Sequence, residues 1–283
     1  MSRRNDRGRK RRRNRGRFGP LFKLLCVAAL LVALTAGATV FFRVEHIIVD
    51  GNARYTQEEV VAASGIQLGD NLYGLNKLKI DSGIRAALPY IGDLTIRRAL
   101  PSTIVITITE WEAVARVAAP TPERARAAQE EAREGDEEAE PLELAKQSWL
   151  ISTSGKLLEP APAGSSLPEI TGLTPIAPQA GELMVVPEGE RFKLESLLAL
   201  LAAMDEAEAF PQVSAIRMGA TQIELRYLDR FDVKMELNGD FRYDIQVVRK
   251  VREEIENRHG PEAAGAIDLT QDGYVGYSPL EAV

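Results

Sequence analysis

His46 and His259 are the only histidines in a chain of 283 residues, and Cys26 is its only cysteine. A zinc centre gathers three or four imidazole, thiolate or carboxylate ligands, so this supply argues against one. His46 reads as a strand residue beside a membrane, and His259 as a last-turn helix residue facing the negative end of the helix dipole. Gly69-Asp70-Asn71-Leu72-Tyr73-Gly74 has the glycine spacing of a phosphate loop. Leu75-Asn76 follow it where a lysine and a hydroxyl residue must stand, which leaves a nucleotide's phosphates without their ammonium partner. Thr153-Ser154-Gly155-Lys156 comes nearest to a serine-lysine nucleophile, but it reads as a hairpin turn in which nothing buries the lysine. Acid pairs such as Glu58-Glu59 and Glu137-Glu138 fall on helix surfaces or in a linker, whereas glycoside hydrolysis needs two carboxyls facing each other across a cleft. The expectation is a protein that is not an enzyme and holds no cofactor or metal.

The charge is split along the chain. Residues 1–20 hold ten Lys or Arg and one Asp, so a formal net charge of -6 leaves -15 for the remainder. Leu24 to Phe42 follow without a charge, nineteen residues that span about 28 Å as a helix at 1.5 Å per residue. We read 1–20 as a basic cytoplasmic tail and 21–42 as a membrane-spanning helix, with the positive flank inside and the bulk of the chain outside the cytoplasm. A cleaved secretory signal is the alternative, because Ala36-Gly37-Ala38 suits a signal peptidase. The basic block carries Phe18 as its one aromatic residue, so contact with membrane lipid explains it better than nucleic acid does.

Residues 43–117 read as a β-α-α-β-β unit. Val44 to Asn52 is a strand with Ile47 and Val49 on one face. Thr56-x-x-Glu59 is a capping box, Ser64-Gly65 a helix stop, and Ile80, Ile84 and Leu88 form the stripe of a second helix ended by Pro89. Gly83 weakens that second helix. In the hairpin that turns at Leu100-Pro101, Ile104, Ile106 and Ile108 alternate with Thr103, Thr107 and Thr109. Two helices cover one face of a three-stranded sheet, which leaves the other face or an edge open. Residues 118–147 carry nine acids against four bases and read as an acidic linker or insertion.

Residues 148–283 read as a second α+β domain on an antiparallel sheet. A hairpin turns at Ser154-Gly155, and Leu194, Leu197, Leu198 and Leu201 mark a helix. Three strands follow over Val213 to Leu237. Ile245, Val248, Val251 and Ile255 mark a further helix, and the chain closes with two extended segments.

This order resembles the FtsQ/DivIB family of bitopic bacterial cell division proteins, and residues 43–117 resemble a POTRA domain. The likeness rests on Val44-x-x-Ile47-x-Val49-x-Gly51-Asn52, Glu58-Glu59-Val60, Ser64-Gly65-Ile66, Gly69-Asp70-Asn71-Leu72, Leu88-Pro89-Tyr90-Ile91 and Arg98-Ala99-Leu100-Pro101-Ser102-Thr103. Leu167-Pro168-x-Ile170-x-Gly172, Ile267-Asp268-Leu269 and Tyr274 to Pro279 continue it in the second domain, and the acidic insertion departs from it. The resemblance implies a divisome scaffold at the septum of the inner membrane, bound to FtsB-like and FtsL-like membrane proteins. It also implies a partner strand added beside Ile267, Leu269, Tyr274, Val275, Gly276 and Tyr277. Arg97 and Arg98 are the expected outward groups for protein contacts on the POTRA-like hairpin. A membrane-anchored cell-wall enzyme and a POTRA-bearing polypeptide-assembly component are the alternatives.

Overall fold

The computed structural model describes residues 19–120, 146–271 and 274–279. Most of the basic tail and most of the acidic segment therefore lie outside the described residues. The first element, α1 (Gly19–Phe41), is apolar all round and long enough to cross a bilayer, and none of its most apolar window is buried against the rest of the chain.

The first folded unit follows the expected order: β1 (His46–Asp50), α2 (Gln57–Ser64), α3 (Lys77–Ala87), β2 (Ile91–Ala99) and β3 (Thr103–Glu110). The sheet runs β1-β3-β2, with β1 parallel and β2 antiparallel to the central β3. Thr56 accepts from the Glu59 amide while the Glu59 carboxylate accepts from the Thr56 amide, and Gly65 closes α2 at φ 66°. Val60, Ile80 and Ile84 pack on Val49, Ile96, Ile104, Ile106 and Ile108, so both helices lie on one face. Gly83 belongs in α3 for a reason invisible to propensity. A Cβ there would stand 2.9 Å from the Ala63 carbonyl oxygen, so the missing side chain lets α2 and α3 approach.

The second unit is a nine-stranded sheet in the order β12-β11-β10-β9-β8-β7-β4-β5-β6. Its strands are β4 (Ala115–Pro120), β5 (Lys146–Ile151), β6 (Leu157–Pro160), β7 (Glu169–Thr171), β8 (Val213–Met218), β9 (Gln222–Tyr227), β10 (Phe231–Glu236), β11 (Gly265–Gln271) and β12 (Tyr274–Pro279). Helices α4 (Arg191–Glu206) and α5 (Phe241–His259) cover one face over a shared core of Leu197, Leu201, Ile216, Leu225, Val233, Ile245 and Val248. The opposite face carries cross-strand ion pairs, Arg116–Glu169 at 3.0 Å and Arg226–Asp232 at 2.8 Å.

Two expectations are corrected. The sheet is mixed rather than antiparallel: β7 pairs parallel with β8 and β10 with β11, because α4 and α5 are crossovers that return the chain in its original direction. The boundary at 117 also does not match the sheets. β4 pairs with β5 and β7, so the first unit ends by 114, and the acidic segment joins two paired neighbours inside the second unit.

The two units share a small apolar cluster of Tyr90, Leu150 and Leu158. Around it, Tyr90 Oη donates to Glu159 at 2.6 Å, Arg54 pairs with Glu159 at 3.0 Å, and the Arg54 guanidinium lies 3.7 Å from the centre of the Tyr90 ring. Lys156 corrects the sequence reading. It is buried, and its Nζ donates to the Ile91 carbonyl oxygen at 2.8 Å across the junction. Burial, followed by the charge of Arg85, holds its pKa below the usual lysine value.

Candidate protein-binding edge

The nine-stranded sheet treats its two margins differently. At the β6 margin the chain folds back on itself: the Leu157 amide donates to Glu182 O, the Gly181 amide donates to Leu157 O, and Pro160 ends the strand. A covered, proline-ended strand resists pairing with another chain. No strand pairs with the outer side of β12 among the described residues.

Alternation of the backbone fixes which β12 groups are free. The Gly265 amide donates to Arg230 O on the β10 side, so Ala266 and Asp268 turn their polar groups toward β12. Their partners Ser278 and Gly276 turn inward to meet them. Val275 and Tyr277 therefore aim their N–H and C=O groups outward, where an added strand can bind them.

The side chains sort differently from the sequence-based set. Ile267 is wholly buried in the core, and Leu269 packs against it, so these two support the edge from behind. Tyr277 is half-buried: its hydroxyl donates to Ala264 O at 3.1 Å and its ring lies 5.6 Å from His259. Tyr274, 76% exposed, and Val275, 41% exposed, are the apolar groups offered to a partner, and Gly276 is exposed between strand neighbours.

Helix α5 adds residues that strand patterning alone does not flag. A groove of about 300 Å³ is lined by Tyr243, Val247, Leu269, Tyr274 and Val275, with Glu236, Asp240 and Asp244 among its polar groups. A second, of about 210 Å³, lies between Val275 and Tyr277 and the α5 residues Val251, Ile255 and Arg258. Tyr243, Val247 and Val251 recur every four residues beside the core stripe, a spacing legible in the sequence but assigned there only at Val251. Burial, then the charges of Asp240 and Glu236, push the Asp244 carboxyl up to about 6. Asp268 moves the other way, because the Thr270 hydroxyl and amide donate to its carboxylate.

The hairpin arginines part company. Arg97 is exposed on the open face of the first sheet, in the row Ile48-Val105-Arg97. Arg98 folds inward, with Nε donating to Leu72 O at 2.6 Å and Nη2 to Leu75 O at 3.0 Å, so its donors hold a loop rather than face a partner.

Comparison with known proteins bears on the first unit. The family model for the FtsQ-type POTRA domain matches residues 42–111, ending where the sheet boundary falls. The chain is 32% identical over 89 residues to cell division protein FtsQ of Corynebacterium glutamicum, covering 31% of this chain and 40% of that protein. It is 34% identical over 74 residues to cell division protein DivIB of Clostridium acetobutylicum, covering 26% of this chain and 29% of the relative. With cell division protein FtsQ of Syntrophotalea carbinolica it shares 33% identity over 101 residues, 33% of this chain and 36% of the relative. The chain thus covers two fifths or less of the length of these curated relatives. Residues 42–111 are thus an FtsQ-type POTRA unit, the chain carries stretches similar to both FtsQ and DivIB cell division proteins, and one apolar helix long enough to span a membrane stands ahead of that unit.

Proposed function

We propose that this protein is a non-catalytic scaffold of the cell division machinery, which binds an FtsB-like partner by adding a partner strand to β12. The observation that carries this reading is the uncovered β12 edge, with Tyr274 and Val275 exposed beside outward backbone groups. The relatives are named cell division proteins, which supplies the process in which such an edge would serve. Backbone pairing supplies affinity, and the two grooves under α5 receive alternate side chains of the incoming strand. Glu236, Asp240 and Asp244 favour a basic side chain in one of them. In this reading α1 is a single span, the N-terminus is cytoplasmic, and both exterior units work at the septum with FtsB-like and FtsL-like membrane proteins.

Val275→Pro tests the pairing. Proline removes an outward N–H while the inward ladder through Gly276 and Ser278 stays intact, as edge strands tolerate. Titration with an FtsB-like partner should show affinity lowered at least tenfold, with Tyr274→Ala lowered by a smaller factor, and a fluorescent fusion of the proline variant should lose septal enrichment. Unchanged affinity in both variants would overturn the assignment of this edge.

A further inference from the structure

The large apolar side chains that the POTRA unit leaves exposed are concentrated at one end. Within 43–114 the exposed large hydrophobic residues are Ile48, Leu68, Tyr73, Leu78 and Leu100. All but Ile48 lie on turns or on the first turn of α3, where no strand face or helix stripe accounts for them.

Topology brings these four together beside the end of α1. The loop holding Leu68 and Tyr73 is bonded to the chain just beyond the helix: the Leu72 amide donates to Phe42 O, the Gly69 amide to Val44 O and the Val44 amide to Asp70 O, each at 2.8 Å. The rings of Phe42 and Tyr73 meet edge to face at 5.1 Å. Because β1 and β3 are parallel, the β2–β3 turn lies at the same end, where the Glu45 amide donates to Ser102 O. Arg98 ties that turn to Leu72 and Leu75, and Asn76 caps α3 there, so Leu100 and Leu78 share this end. Exposure is 59% at Leu100, 56% at Tyr73, 70% at Leu68 and 81% at Leu78.

A helix crossing about 30 Å of hydrocarbon uses about 20 residues, so the last turn of α1, ending at Phe41, and Phe42 just beyond it fall at the membrane-water interface. Tyr73 touches Phe42 and occupies the same depth, where an aromatic ring with a polar tip is favoured. The exposed Arg43 and Lys79 add cations suited to anionic headgroups.

We infer that the membrane-proximal end of the POTRA unit docks on the outer leaflet of the bilayer that α1 crosses, immersing Leu68, Tyr73, Leu78 and Leu100 in its interface. This rests on reading α1 as a membrane span. The β2–β3 hairpin turn then has a role that strand patterning does not convey: it is one foot of the domain on the lipid. Two attachments, the helix and this patch, fix the height and tilt of the unit above the membrane.

Full-length chain in single-copy nanodiscs of mixed zwitterionic and anionic lipid tests this, with an environment-sensitive fluorophore on one cysteine at a time. Native Cys26 reports on α1. In a Cys26→Ser background, Leu78→Cys and Leu100→Cys report on the patch, and Asp93→Cys reports on the far end of β2, about 23 Å from Leu100 at 3.3 Å per residue. Quenching by lipids bearing a nitroxide near the headgroup should be at least threefold stronger at 78 and 100 than at 93. Equal, weak quenching at all three with strong acyl-chain quenching at Cys26 would overturn the docking while leaving the span intact, and would assign the patch to a protein partner. Weak quenching at Cys26 as well would overturn the span and, with it, the docking.

Discussion

At the scale of single residues, Asp244 marks the open edge electrostatically. Its carboxyl is pushed up to about 6 by burial and by Asp240 and Glu236, although it sits in the first turn of α5, where the helix dipole favours negative charge. A folded pKa above the unfolded value means that the stabilising contribution is complete below about pH 3.8 and is lost as pH rises through about 6. Asp244→Asn should therefore stabilise the chain by about 1 kcal/mol at pH 8 and make no difference near pH 4, read from urea midpoints at the two pH values. Lys156 shows a limit of reading residues from sequence. The turn at Ser154-Gly155 was legible, but the burial of Lys156 depends on Ile91, 65 positions away in the other unit. Arg98 is a parallel case, because its carbonyl partners lie 23 and 26 residues upstream.

Among the elements, those carried by local patterning appear where the spacing places them: the Thr56 capping box, the Ile104-Ile106-Ile108 strand, the hairpin after Ser148, and the long helix α5. Pairing partners were less legible, since period-2 alternation in β4 says which face is buried but not which sheet it joins. That is why a boundary drawn by composition at the start of the acidic run missed the sheet boundary by a few residues. The mixed sheet follows from α4 and α5 once β7 is known to neighbour β8 and β10 to neighbour β11. Gly83 offers a test at this scale. Gly83→Val adds helix propensity yet forces a side chain against the Ala63 carbonyl, so the POTRA unit should lose about 1–3 kcal/mol of stability by chemical denaturation. A gain in stability would mean that α2 and α3 do not pack as closely as described.

For the whole molecule, the two proposals rest on two surfaces. One end of the POTRA unit, beside α1, gathers exposed apolar side chains, and the last strand of the second unit leaves a backbone edge open. Between them, the junction of Tyr90, Glu159, Arg54 and Lys156 joins the two units through an apolar cluster ringed by charge-assisted bonds. The family resemblance pointed to the open edge by its last strand, whereas the distinction between its buried support, Ile267, and its exposed groups, Tyr274 and Val275, required the three-dimensional packing. Amide hydrogen exchange of the full chain, with and without an FtsB-like partner, tests strand addition most directly. Exchange at the Val275 and Tyr277 amides should slow at least tenfold on binding; unchanged exchange there, with new protection elsewhere on the chain, would contradict the account.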